Sequence, residues 1–183
     1  MAMQHTPLLM SNILDRGATV APNEEIVTLT ETGVRRQSYR ETRDRAHQLA
    51  HALAGIGIKV GDRVGTFMWN GSRHLEAYHA VAGMGAVLHT LNVRLSPKDL
   101  EYIINHAEDQ IIIVDADVLP LLEVLNGKIP TVRKIIVATE DGFEGSSTGL
   151  PDPVDYEAFI NGQPTHYEWP QIDENSPMGL CYT

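Results

Sequence analysis

The sequence predicts an α/β fold: a mostly parallel sheet flanked by helices, with a small antiparallel unit near the N-terminus. Three observations predict it. Short apolar runs such as Ile111-Ile112-Ile113-Val114 lack alternation, as strands covered on both faces do. Segments of helical periodicity separate these runs, and parallel strands need such crossovers. Helix-start signals, Ser38-Tyr39-Arg40-Glu41 and Ser96-Pro97, stand where the helical segments begin.

In chain order, residues 25–30 alternate polar and apolar, and Glu31-Thr32-Gly33 reads as a hairpin turn into residues 34–38. Ser38 then caps a helix, with Glu41 positioned to reach back to the cap amide. Ala46, Leu49, Ala50 and Leu53 form that helix's apolar stripe, and Gly55 or Gly57 ends it. Gly61-Asp62 is a turn into a buried strand at 64–68. A helix over 72–84 leads through Gly85 into a strand at 86–91. Pro97 opens a helix reaching about His106, and 110–114 is the next strand. A helix over 118–125 and a strand over 134–138 follow. Residues 141–153 read as a surface loop, and 156–160 as a short helix. The final run, Met178-Gly179-Leu180-Cys181-Tyr182-Thr183, reads as an apolar strand. Strand–helix alternation of this kind implies right-handed crossovers.

Composition narrows the function classes. A net charge of −10 excludes a typical nucleic-acid binder, which needs basic groups to replace phosphate counterions. The longest apolar stretches are too short to span a membrane, and the start lacks a basic region followed by an apolar core. The single cysteine, Cys181, excludes an internal disulfide and fits the cytoplasm. After Lys134 the charged residues are all acidic, from Glu140 to Glu174. Either they form a solvated face, or they pack against basic groups outside this chain.

No motif declares a catalytic site. Gly55-x-Gly57 and Gly83-x-Gly85 close helices rather than opening them, so they fit C-caps and not a phosphate cradle. His74 and His79 lie five apart, off the spacing that puts two ligands on one helix face. His89, near a strand end, is the histidine best placed to meet a ligand. His106, at a helix end, suits a structural role with the dipole. Arg94, in a loop directly after a strand, either holds an acid or pins the loop by bonding carbonyls, and pinning is the favoured reading. There is no nucleophile elbow, and no catalytic residue is assigned.

Five segments in order carry a resemblance: Ser38-Tyr39-x-Glu41, Gly61-Asp62-Arg63-Val64, Asn70-x-x-x-His74-Leu75-Glu76-Ala77-Tyr78, His89-Thr90-Leu91-Asn92-x-Arg94-Leu95-Ser96-Pro97, and 102–109 (Tyr102 to Asp109). Together they resemble the N-terminal part of adenylate-forming (AMP-binding) enzymes, within the bacterial medium- and long-chain fatty-acyl-CoA synthetases. The resemblance covers nearly the whole chain.

It implies that residues 1–183 are a partial N-terminal domain of a ligase whose phosphate-binding loop and C-terminal domain are absent. The implied reaction joins a fatty acid to coenzyme A through an acyl-adenylate, with ATP and Mg²⁺ as cofactors. Thr183 would be the opening residue of the phosphate loop, touching ATP and its Mg²⁺. The resemblance also implies a homodimer, and inactivity of this chain in isolation. Two alternatives are weighed beside it. One is a ligase of the same superfamily for an aryl or short branched or sulfur-containing acid. The other is a non-catalytic scaffolding or oligomerisation module.

Overall fold

The computed structural model describes residues 6–30, 33–144 and 149–183. The elements in order are α1 (Met10–Val20), β1 (Glu25–Thr30), β2 (Gly33–Ser38), α2 (Tyr39–Gly55), β3 (Arg63–Phe67), α3 (Ser72–Gly83) and β4 (Val87–Thr90). They continue with α4 (Pro97–Ala107), β5 (Ile111–Asp115), α5 (Leu119–Glu123), β6 (Lys134–Ala138), β7 (Pro153–Asp155), α6 (Tyr156–Ile160) and β8 (Gly179–Leu180). β1 and β2 form an antiparallel pair, and the other six strands form a parallel sheet in the order β7-β6-β5-β3-β4-β8. The parallel sheet and the small antiparallel unit are as the sequence predicts. The turn expected at 31–33 falls largely outside the described residues.

The apolar run of β5 shows why both faces are covered. Ile111 and Ile113 pack with Leu49, Leu53, Ala77 and Val81 of α2 and α3. Ile112 and Val114 pack on the opposite face with Leu100, Ile104 and Leu122 of α4 and α5. The result is helix layers on both sides of one sheet. The predicted stripe on α2 is correct: Ala46, Leu49, Ala50 and Leu53 are all fully buried.

Ser38 Oγ accepts from Glu41 N at 3.2 Å, while Ser38 N donates to Glu41 Oε2 at 2.7 Å, so both halves of the capping box form. The bond from the Ser38 amide holds the Glu41 carboxyl below its ordinary range. Ser38→Ala removes one half, and a stability loss of about 1 kcal/mol is expected, read as a lower urea midpoint. An unchanged midpoint would contradict the cap's role.

The glycines close helices as expected. Gly57 (φ 87°) and Gly85 (φ 82°) take the left-handed conformation just past α2 and α3. In each case two amides return to the last turn: Gly57 N to Ala54 O and Ile58 N to Leu53 O, then Gly85 N to Ala82 O and Ala86 N to Val81 O. These are Schellman closures.

Three elements differ from the sequence reading. The helix α1 is absent from it, because Asn12, Asp15 and Gly17 interrupt a stripe that buries only Ser11, Leu14 and Ala18. The strand β7 lies at the end of the stretch read as loop; it is a three-residue edge strand opening on proline, a position that needs no amide donor. The final strand is shorter than its apolar run suggests. Only Gly179 and Leu180 pair, with Leu88 and His89, because β4 itself ends at Thr90.

Candidate functional site

In an open parallel sheet, ligands meet the carboxyl ends of strands where the strand order reverses. Here β3 connects to β4 on one side while β5 connects to β6 on the other, so the reversal lies between β3 and β5. A crevice of about 300 Å³ opens there. Its walls are residues 68–74 after β3, 115–117 at the end of β5 and 138–141 at the end of β6, with part of the β1–β2 hairpin.

Asp115 is the last residue of β5, and its Oδ2 accepts from Trp69 N at 2.7 Å. Trp69 Nε1 donates to Asp117 Oδ2 at 2.8 Å. Burial pushes the Asp115 carboxyl up to about 6; the Trp69 amide opposes this and the nearby Asp117 charge adds to it. On the opposite wall, Arg73 Nη1 donates to Glu140 Oε1 at 2.8 Å, and Arg35 pairs with the same carboxylate. The crevice therefore presents one carboxyl able to exchange a proton near neutrality beside two guanidinium groups that Glu140 already engages.

A raised carboxyl has a defined sign. Between pH 3.8 and about 6 the folded state holds a proton on Asp115 that the unfolded chain releases. This contribution lowers stability as pH rises through that window and stays unfavourable above it. Asp115→Asn keeps an oxygen for the Trp69 amide and removes the titration. The variant's urea midpoint is therefore expected to gain on the wild type's between pH 4 and pH 7. Parallel midpoint curves would contradict this.

Behind the crevice lies a buried polar cluster. Glu76, fully buried on α3, accepts from Gln37 Nε2 at 2.8 Å, Arg45 Nε at 2.8 Å and Tyr156 Oη at 2.7 Å. Arg45 also makes a two-pronged pair with Glu157, at 2.8 and 2.9 Å, and Arg73 Nε reaches the same Glu157 at 2.8 Å. Burial would raise the Glu157 carboxyl, but the two arginines outweigh it and hold it below its ordinary range. Part of the acidic segment thus meets basic groups from the first half of this same chain. Lys134 pairs likewise with Asp152. Neither sequence alternative for that segment describes these residues.

The residues singled out from sequence fall in different places. His74 is buried, with Nδ1 on Trp69 O at 3.1 Å and Nε2 on Thr66 Oγ1 at 3.0 Å, and burial holds its pKa low. His79 is also buried. His89 is fully buried, with Nδ1 2.7 Å from Asp109 Oδ2. His106 does occupy the last turn of α4, and its Nδ1 also lies 2.6 Å from Tyr182 Oη.

The expectation that Arg94 pins its loop through carbonyls is not met. Its side chain is exposed, and among the described residues no such bond forms. Asn92 Oδ1 instead accepts from Arg94 N at 3.0 Å, and Leu95 N donates to Asn92 O at 3.1 Å. That local turn tightens the loop without the guanidinium.

Thr183 is exposed, three residues beyond the end of β8. It offers one hydroxyl, whereas Mg²⁺ takes about six oxygens. Among the described residues no group of three His, Cys, Asp or Glu side chains gathers to hold a metal. Within this chain Thr183 would supply one oxygen of a set otherwise made up by nucleotide phosphates and water.

Sequence reasoning singled out His74 but missed the charged crevice residues. Asp115 had a usable signal, an acid directly after a β-branched strand. Arg73 and Glu140 had none, because only the topology brings them together.

The comparisons with known proteins agree with the fold. The model of the AMP-binding enzyme family matches residues 14–183. A long-chain-fatty-acid–CoA ligase of Thermus thermophilus is 40% identical over 99% of this chain and 32% of its own length. A 3-methylmercaptopropionyl-CoA ligase of Ruegeria lacuscaerulensis is 37% identical over 99% and 34%. A medium-chain-fatty-acid–CoA ligase of Ectopseudomonas oleovorans is 35% identical over 99% and 33%. Among solved structures, an anthranilate CoA ligase in complex with anthranoyl-AMP superposes with a TM-score of 0.86 at 25% identity, covering 98% of this chain and 33% of that one. The chain spans about a third of the length of the curated relatives it matches. Its sheet order, its helix closures and this match along nearly its whole length agree: the chain belongs to the AMP-binding enzyme family.

Proposed function

We propose that this chain is the N-terminal part of an ATP-dependent acid–CoA ligase, and that its acid is a fatty acid. The observation that carries the reading is the similarity to three acid–CoA ligases, at 35–40% identity across 99% of this chain. The reaction has two displacements. A carboxylate oxygen attacks the α-phosphate of ATP, forming acyl-adenylate and releasing pyrophosphate. The thiol of coenzyme A then attacks the acyl carbon, forming the thioester and releasing AMP and a proton. Adenylation supplies the leaving group that a carboxylate lacks.

In this reading residues 1–183 supply the sheet and its helix layers, and Thr183 begins the segment that meets the phosphates. Its hydroxyl then contributes one oxygen toward ATP and its Mg²⁺. The chain alone lacks the remaining groups and is inactive. The full-length protein is cytoplasmic and a homodimer, the latter to be read from its sedimentation mass. Among the described residues no helix is long and apolar enough to cross a membrane.

The test is acyl-CoA formation by the full-length protein across a series of acids. Medium- or long-chain fatty acids are expected to give the highest kcat/KM. A preference for 3-methylmercaptopropionate or a benzoate would replace the fatty-acid reading by the short or aryl one. No acid-dependent thioester at all would overturn the proposal.

A further inference from the structure

Tyr182 is the last residue before Thr183, and the structure ties it down at two places. Its hydroxyl lies 2.6 Å from His106 Nδ1, and the two rings meet edge to face with centroids 5.8 Å apart. Its ring also lies 5.1 Å from that of His89, tilted by 47°. Tyr102 also stacks on His106, with centroids 5.4 Å apart.

The groups that hold Tyr182 are themselves fixed. His89 and Asp109 are both fully buried and joined at 2.7 Å through His89 Nδ1. Among the described residues His89 Nε2 has no hydrogen-bond partner. The Tyr182 ring packs against the same imidazole, with centroids 5.1 Å apart. A side chain at Gly65 would come within 3.2 Å of Asp109 Oδ2, so the strand beneath leaves room for the pair.

The end of α4 that carries His106 and Asp109 is stapled as well. Glu108 turns in the left-handed conformation, φ 55°, which sends Asp109 back into the core. Arg63 on β3 donates to Ala107 O and pairs with Glu108 Oε2 at 2.7 Å. Leaving the sheet after two paired residues, the chain therefore lands on a rigid platform of β4 and α4.

We propose that Tyr182 is a positioning residue: held by His106 and seated on the His89–Asp109 pair, it fixes the direction in which Thr183 and the following segment leave the sheet. The consequence for nucleotide binding rests on the function proposed above. Its role is to act through the backbone of its neighbour.

The experiment uses the full-length protein with Tyr182→Phe, His106→Ala and the double variant. Two readouts are taken, amide hydrogen exchange at residues 181–183 and the steady-state constants for ATP and the acid. Each single variant is expected to speed exchange there. Each is also expected to raise KM for ATP roughly two- to ten-fold, the range of one lost hydrogen bond. The acid's KM and the melting temperature should move little. The double variant should be no worse than either single one, because both remove the same contact. Unchanged exchange in both single variants would overturn the proposal. So would faster exchange with an unchanged KM for ATP, or a loss confined to melting temperature. A wild type that makes no thioester would remove the ligase reading. Exchange at 181–183 would then decide alone whether Tyr182 holds its neighbour.

Discussion

Glu76→Ala is expected to cost about 3–5 kcal/mol of stability, the usual loss when one member of a buried charged network is removed. Glu76 is fully buried and accepts from three side chains on three different elements. Without it the Tyr156 hydroxyl, buried on α6, loses its acceptor, and Arg45 is left with Glu157 as its carboxylate partner among the described residues. Burial and the adjacent Glu76 charge hold the Tyr156 phenol well above its ordinary range, so the hydroxyl stays a donor at every physiological pH. Two comparisons isolate the cause. Tyr156→Phe removes a single bond to a charged acceptor and should cost about 1.5–3 kcal/mol. Glu76→Gln retains an acceptor oxygen and should fall below the alanine variant. Urea unfolding of the three variants checks the order. A cost below about 1 kcal/mol for Glu76→Ala would mean that the cluster is not what joins α2, α3 and α6.

Leu49→Ala is the second large effect, at about 2–5 kcal/mol. Leu49 is fully buried among Leu53, Val64, Val81 and Ile111, where α2 meets α3 and the sheet. The missing atoms leave a space that close-packed helices fill only in part. Its neighbour Gln48, one position round the helix, is partly buried and bonds Gln163 O at 3.0 Å. Gln48→Ala should therefore cost about 1 kcal/mol. Equal midpoints for wild type and Leu49→Ala would show that the stripe is turned away from the core.

The contrast between these two residues shows what was legible in the sequence. Leu49 belongs to a periodic pattern, and period fixes the face of a helix whatever it packs against. The same logic made β5 readable from four β-branched or apolar residues, and the cap at Ser38 readable from a spacing of three. Glu76 belongs to no local pattern. Its partners lie 31, 39 and 80 positions away, and only the order of strands brings them together.

The candidate site follows the same division. Strand–helix alternation alone implied a mostly parallel sheet, and in such a sheet ligands meet the carboxyl ends of strands. That the crevice lies between β3 and β5 required the sheet order, which sequence periodicity does not carry. Arg73 and Glu140 were invisible for that reason, whereas Asp115, an acid directly after a β-branched run, carried a signal that periodicity alone does not read. His89 was read as the histidine best placed for a ligand; in the fold it is buried on Asp109, because its position on β4 faces the α4 layer rather than the crevice. Thr183 was reached only through resemblance, and its surroundings here amount to one exposed hydroxyl beyond a two-residue strand.

The central claim is that this chain is the scaffold of an acid–CoA ligase and that the nucleotide chemistry depends on residues following Thr183. Acid-dependent exchange of labelled pyrophosphate into ATP reads the first displacement without needing coenzyme A. The account predicts exchange in the full-length protein that requires a carboxylic acid, and none in residues 1–183 alone. Exchange catalysed by the 183-residue chain, or its absence from the full-length protein with every acid, would contradict it.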